Sequence, residues 1–511
     1  MKFYKKYLIL PILSIIFSMD YCVALTITKG PYLITTSEQS LLIRWETDSA
    51  VSGTVRYGRD NQLAESCKSK MRGEKNNYYL HEAQLKNLLP STKYYYQIKI
   101  GNVTSNVSYF YTAFANASKL NFVAMGDSRS NPGVFEIIVE QVKKINPDLV
   151  ISMGDLVEDG GNFEQWNEHY FQVTSDLLNH IPLSSTLGDH EGDGDNGALM
   201  NHYLRVNNKV DEQWFSFDYG PAHFVSLDYR HPDNKNMIKW FKQDMDKNTK
   251  KWTFVYTHRP SYNLGGHRSD WGINIWPELF RKFKVDIVFA GHSHIYERFY
   301  PVAPLNKPDK WPVTYITTGG AGAGLYEVMQ HPKFLAKAES VNHFALIKIS
   351  GDTLRFCTYL QDNSIIDNFE IIKEADSYNT EYLALVKPQD QLEQLSMFAN
   401  AVSFSLNKIP NIDSPVTHIV MLKSYLENED IPFEIKIDSL SMEKYQVTTV
   451  KDTLMRNAQL EIPIKIYRKD DIILTKWGDM KPELRLRIAY KTSLSEENLI
   501  GSAVEYWPDD E

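Results

Sequence analysis

Between residues 30 and 113 the chain runs through short stretches, SLLIRWETD, SGTVRYG, TKYYYQIKIGN and VSYFYTA, that mix apolar alternation with β-branched and aromatic residues. Turn-forming residues separate them, which is the signature of strands. A small β-sandwich over residues 28–115 is the predicted unit.

From Leu120 the rhythm changes. Strand-like runs now end in polar clusters: LNFVAMGDSR, DLVISMGDLVEDG, PLSSTLGDHE, WTFVYTHRP and DIVFAGHSH. Helical spacing lies between them, as in VFEIIVEQVKKI, where Phe135, Ile138, Val142 and Ile145 recur every three or four residues, and in NMIKWFKQDMD around Ile238 and Phe241. This predicts a layered αβ domain over residues 118–374. Each cluster follows the carboxyl end of a strand, where open sheets of this kind place their ligands.

A third segment, 377–511, opens with polar, helix-compatible sequence around Asp390 to Met397. It then turns β-rich in PVTHIVMLKSYL, QLEIPIKIYR and ELRLRIAYK. It carries no chemical motif and is expected to be an accessory domain, with packing on the catalytic domain, glycan binding or subunit contact as its open roles. No solenoid-period repeat and no low-complexity tract is present.

The first residues change the picture of where the protein works. MKFYKKYLILPILSIIFSMDYCVALT has lysines, then an apolar run from Tyr7 to Met19, then small residues. That is the layout of a secretory signal over 1–24, with a run short for a membrane span, so the expected location is secreted or periplasmic and an uncleaved anchor is the alternative. After cleavage only Cys67 and Cys357 remain, which excludes a disulfide scaffold and leaves open whether the two pair. The triplets at Asn102, Asn106 and Asn116 are glycosylation acceptors only in a host with that machinery. The net charge of -9 is spread along the chain, and no basic stripe marks a nucleic-acid groove.

The five clusters supply Asp127, Asp155, Asp189, His190, His258, His292 and His294. Mixed carboxylate and imidazole ligands suit borderline divalent or trivalent ions. One ion would not use them all, whereas two ions sharing one aspartate would, and such a pair can activate water while holding a phosphoryl oxygen. The glycine-rich TTGGAGAGLYEV, Thr317 to Val328, lacks the lysine and hydroxyl of a phosphate-cradling loop and reads as a tight loop beside the site.

These blocks, GDSR, GDLVED, GDHE, THRP and GHSHIYER, resemble those of the calcineurin-like metallophosphoesterases, and within them the purple acid phosphatases. The resemblance covers about residues 30–374 and implies an α/β/β/α catalytic domain. The stretch LLPSTKYYYQI further resembles the tyrosine corner of fibronectin type III domains, with Tyr94 or Tyr96 as the corner residue. Carried over, the resemblance implies that Asp127 and His294 hold a first metal ion, that Asp155 bridges, and that Asp189, His258 and His292 hold a second. The ions implied are Fe, Zn or Mn. His190 would stand beside the leaving group, and His267 would be a further substrate-facing histidine.

The chain departs from that pattern at three positions. Glu158 stands where the family has its iron-binding tyrosine, so the purple colour should be absent, and Glu158 either ligates a metal or faces solvent. Asp189 replaces a neutral asparagine, which should tighten metal and weaken phosphate. Arg129 takes the place of a histidine found in nonpurple relatives and is expected to fork onto phosphate oxygens, its alternative being a pair with Glu158 or Asp189. The implied activity is a metal-dependent hydrolase of small phosphomonoesters acting through a metal-bound hydroxide. A phosphodiesterase or nucleotide phosphohydrolase and a non-catalytic secreted binding protein are the rival readings.

Overall fold

The computed structural model describes residues 25–505 except 38, 114–117, 206–211, 264, 305–309, 329–331, 405–414, 439–441, 443–444 and 470–482. The expected signal segment 1–24 and the triplet at Asn116 lie outside the described residues.

The first unit is a two-sheet sandwich. Strands Ile27–Ser37, Ser40–Thr47, Tyr78–Leu85 and Lys70–Lys75 form one sheet; Glu65–Lys68, Gly53–Gly58, Lys93–Ile100, Val103–Thr104 and Ser108–Tyr111 form the other. Alternation decides which side chains fill the gap: Ile43, Trp45, Val55, Tyr96 and Ile98 point inward and are completely buried. The Tyr94 hydroxyl accepts the Leu89 N–H at 3.0 Å, while Tyr96 instead donates to the Asn179 carbonyl at 2.8 Å in the next unit. The two units also share a sheet, because Ile27–Ser37 runs parallel to Leu183–Ser185 with Ile34 opposite Leu183.

The central unit has two sheets packed face to face. One carries the parallel strands Lys119–Met125, Leu149–Ser152 and Leu183–Ser185, extended by the antiparallel His343–Ser350, Thr353–Leu360 and Ile365–Glu374. The other has Ala222–Ser226, Trp252–Thr257, Ile287–Ala290 and Thr314–Thr318 in parallel. Phe122, Phe224, Phe254, Phe289 and Ile347 fill the space between them, and all are fully buried. Helices cover the outer faces. Pro132–Ile145 starts on Asn131, whose side chain accepts the Val134 N–H, has proline in its first turn, and ends at Asn146 in the left-handed region. Its buried stripe is Phe135, Ile138, Val139 and Val142. Helix Lys235–Met245 buries Met237, Phe241 and Met245. The order is therefore helix, sheet, sheet, helix, with the parallel strand ends of both sheets opening on the same side.

The C-terminal region begins with helix Gln389–Ala401 and continues as two antiparallel sheets, one built on Val416–Lys423 and Gln459–Arg468, the other on Ile431–Ile437 and Glu483–Thr492. Cys67 and Cys357 are both free thiols.

Candidate active site

Each cluster turns sharply at the end of its strand, and the turns carry backbone strain. Asp127, Asp155 and His292 have φ of 59°, 53° and 67°, a left-handed conformation that residues other than glycine adopt seldom, Asp and His more readily than most. Glycines let the turns approach one another. A Cβ on Gly188 would lie 2.1 Å from Asp155 N, and one on Gly291 would lie 2.4 Å from Asp127 Oδ2. Any larger residue at either position would push two ligand-bearing loops apart.

The turns bring six side chains into two groups. Asp127, Asp155 and His294 form one; Asp189, His258 and His292 form the other, with the candidate ligand atoms of each group within 4.8 Å of one another. Nearly all of this is hidden from solvent, Asp127 and His258 completely. Asp155 links the groups, since His258 Nε2 lies 3.5 Å from Asp155 Oδ1 and 3.6 Å from Asp189 Oδ2. His258 Nδ1 donates to the Met153 carbonyl at 2.7 Å and His294 Nδ1 to the Gly324 carbonyl at 2.6 Å. Those bonds fix both rings and turn Nε2 toward the carboxylates. His258 Nε2 is buried there without a hydrogen-bond partner.

The electrostatics belong to a set of ligands built around positive charge. Burial, with Asp155 close by, pushes Asp127 well above the usual carboxylate range. Burial alone would lower His258, but Asp155, Asp189 and Asp127 outweigh it and carry the imidazole up to about 10. Burial and Arg129 drive His294 down to about 3, leaving it neutral. Three buried carboxylates, neutral imidazole nitrogens and an orphaned ring nitrogen fit cations of borderline hardness.

His190 sits beside the linking carboxylate. Its N–H donates to Asp155 Oδ1 at 3.0 Å, its Nδ1 lies against the Glu158 carbonyl, and its side chain remains 28% exposed. His267 stacks on His292 with ring centroids 4.1 Å apart, and its backbone N–H donates to Ser293 Oγ; burial, with His292 adjacent, holds it down at about 4.

Arg129 and Glu158 take the second of the places expected for them, a pair with each other. Glu158 stands outside both groups, because Arg129 Nη1 holds its carboxylate at 2.8 Å and Ser130 Oγ donates to the same oxygen. Arg129, expected on phosphate, spends its guanidinium on protein carboxylates: Nε reaches Asp155 Oδ2 at 3.2 Å while Nη1 holds Glu158. The cation that answers Asp189 is Arg259, whose Nε and Nη2 bind the carboxylate at 2.9 and 3.0 Å. Arg259 directly follows His258 in THRP, and the unexplained charge on Asp189 was the signal that could have found it.

Glu191, next to His190, was also missed. Fully buried, it accepts N–H groups from Asp155 at 2.9 Å, Leu156 at 2.7 Å, Val157 at 3.3 Å and Gly188 at 3.0 Å. It thereby ties the Asp155 turn to the Asp189 turn.

A two-sheet core with paired carboxylate and histidine groups at one set of strand ends is the architecture of a dinuclear phosphoesterase. In agreement, residues 120–296 match the calcineurin-like phosphoesterase family and residues 29–112 match the purple acid phosphatase N-terminal domain. The chain thus carries a calcineurin-like metallophosphoesterase domain behind a purple acid phosphatase N-terminal domain. It is 24% identical over 393 residues to "Probable inactive purple acid phosphatase 1" of Arabidopsis thaliana, covering 63% of this chain and 62% of that protein. It is 25% identical over 293 residues to mouse acid phosphatase type 7, covering 48% of this chain and 64% of that one. The chain therefore spans less than two thirds of the length of either relative. The fold is shared with a purple acid phosphatase from yellow lupin seeds, at a TM-score of 0.59 and 17% identity over 68% of this chain and 75% of that one.

Proposed function

We propose that this protein is a dinuclear-metal phosphatase that hydrolyses small phosphomonoesters. The observation that carries the reading is the pair of buried three-residue groups linked through Asp155, with the half-open His190 at their edge. Asp127 and His294 would hold one ion, Asp189, His258 and His292 the other, and Asp155 both. Two Fe, Zn or Mn ions held there would lower the pKa of a water and offset charge on the phosphoryl oxygens.

The chain's own groups supply the rest. His190 Nδ1 is committed to the Glu158 carbonyl, which leaves Nε2 of the imidazolium to stabilise the phosphoryl charge and pass a proton to the departing alcohol. Arg129 holds Asp155 in place through its Nε and is a positioning residue in this reading. His267, neutral and stacked on His292, lines the substrate side as an acceptor or neutral donor. The deep placement of the ligands restricts bulk water.

Residues 1–24 act as a secretory signal in this reading, and the protein works outside the cytoplasm. Among the described residues, no helix is long and apolar enough to cross a membrane. One observation favours a second reading, that of a non-catalytic binding protein: Asp189 is already satisfied by Arg259, and the Arabidopsis relative bears the word inactive in its name. His190→Ala separates the two. The phosphatase reading expects turnover of a chromogenic phosphomonoester to fall by roughly 10²–10⁴-fold while both metals stay bound. A wild-type protein that holds metal and never turns over such a substrate supports the binding protein instead.

A further inference from the structure

The C-terminal region has no task in the reading above, and its contacts with the loops around the ligand groups point to one. Glu327 ends the stretch 319–327 that follows strand Thr314–Thr318. Its carboxylate receives Arg485 Nη1 at 2.9 Å and Arg487 Nη2 at 2.5 Å, both from strand Glu483–Thr492 of the C-terminal sandwich. Arg487 also reaches the buried Asp438 and is thereby anchored within its own sheets.

The residue before Glu327 touches the site. The Tyr326 ring lies on His294 with centroids 4.6 Å apart and planes 28° from parallel, and stands 5.5 Å from the His267 ring. Gly266 N donates to the Glu327 carbonyl at 2.9 Å, which joins this loop to the one bearing His267.

Helix Gln389–Ala401 holds that second loop from behind. Tyr262 Oη donates to Glu393 at 3.0 Å and Arg268 Nη1 to the Ala399 carbonyl at 3.0 Å. Phe398 meets Tyr490 of the sandwich edge to face at 4.9 Å, so helix and sandwich act as one support. Ordinary interdomain packing would need none of these bonds to fall on the two loops flanking the ligand residues.

We propose that the C-terminal region is a wall of the substrate site. Glu327, gripped by Arg485 and Arg487, is a positioning residue that sets the Tyr326 ring between His294 and His267, where it contacts the organic part of the ester and favours flat leaving groups. This inference rests on the phosphatase reading for its substrate.

The test uses the metal-loaded full chain with 4-nitrophenyl phosphate as a flat ester and glycerol 2-phosphate as a non-planar one. Glu327→Gln and Arg485→Ala should raise KM for the aryl ester roughly fivefold, the size of one or two well-placed ion pairs, with kcat and metal content unchanged. KM for glycerol 2-phosphate should stay within roughly twofold. The conservative Arg485→Lys, which keeps the cation on Glu327, should leave KM near wild type. Tyr326→Ala should reproduce the defect.

Equal losses for both esters, lost metal, or an unchanged aryl KM would overturn the proposal. Should the wild type show no turnover, the phosphatase reading falls, and amide exchange still tests the wall. Gly266 N–H should exchange faster in Glu327→Gln and Arg485→Ala and stay near wild type in Arg485→Lys; identical exchange in all four proteins would refute the positioning role.

Discussion

Replacing Glu191 by glutamine probes how the site is assembled, because this buried carboxylate receives four backbone N–H groups from two ligand-bearing turns. Oε2 takes Asp155 N and Gly188 N at 2.9 and 3.0 Å, and Oε1 takes Leu156 N and Val157 N at 2.7 and 3.3 Å. An amide of the same shape keeps one acceptor oxygen and turns an NH₂ group toward the other pair of donors. Two hydrogen bonds to a charged group are lost, each worth about 1.5–3 kcal/mol, so the cost is about 3–6 kcal/mol. For a unit the size of the central domain this corresponds to a melting shift of roughly 10 °C. The assay is thermal unfolding at about pH 8, above the value of about 7 to which burial and Asp155 raise Glu191, together with metal retention against a chelator. Because the chain has three units, the transition of the central domain must be followed on its own. The variant should melt lower and release metal at lower chelator concentration, since the Asp155 turn is no longer tied to the Asp189 turn. A melting point within roughly 2 °C of wild type and equal metal retention would refute the reasoning.

Three further outcomes are expected. Asp189→Asn removes a charge beside the second ligand group and releases Arg259; inhibition by orthophosphate should strengthen roughly fivefold and metal should be held less tightly, as read from inhibition constants and chelator competition. In the Arg259→Ala background the same replacement should gain little, and equal gains in both backgrounds would show that the two side chains are uncoupled. Far from the site, His223 sits between Asp218 at 2.7 Å and Asp244 at 2.9 Å; burial opposes its charge, but the two carboxylates prevail and raise it to about 9. A folded pKa above the unfolded value stabilises fully below about pH 6.5 and is lost as pH rises through about 9, so His223→Gln should cost up to about 3 kcal/mol at pH 6 and much less at pH 10, by melting across pH.

The layered fold was legible because its strands are apolar runs followed by glycine and aspartate or histidine, and because helix Pro132–Ile145 buries the stripe its spacing announces. The groups Asp127, Asp155, His294 and Asp189, His258, His292 could be assembled on paper because each member stands within four residues of a strand end. What escaped was the partner of Asp189. Arg259 and Arg129 are equally plausible partners for Asp189 in one dimension, and only the docking of strand Trp252–Thr257 beside the Asp189 turn chooses between them. Glu191 escaped because its partners are main-chain N–H groups, which carry no sequence signal. The grip of Arg485 and Arg487 on Glu327 spans 158 and 160 residues, a separation no local pattern encodes.

Metal stoichiometry measured in the same preparation as phosphomonoester turnover tests the central claim most directly. The account predicts about two Fe, Zn or Mn ions per chain and hydrolysis that is lost with chelation and regained on reconstitution. A protein that binds no metal after exposure to Zn²⁺, Mn²⁺ and Fe, and turns over nothing, would contradict it.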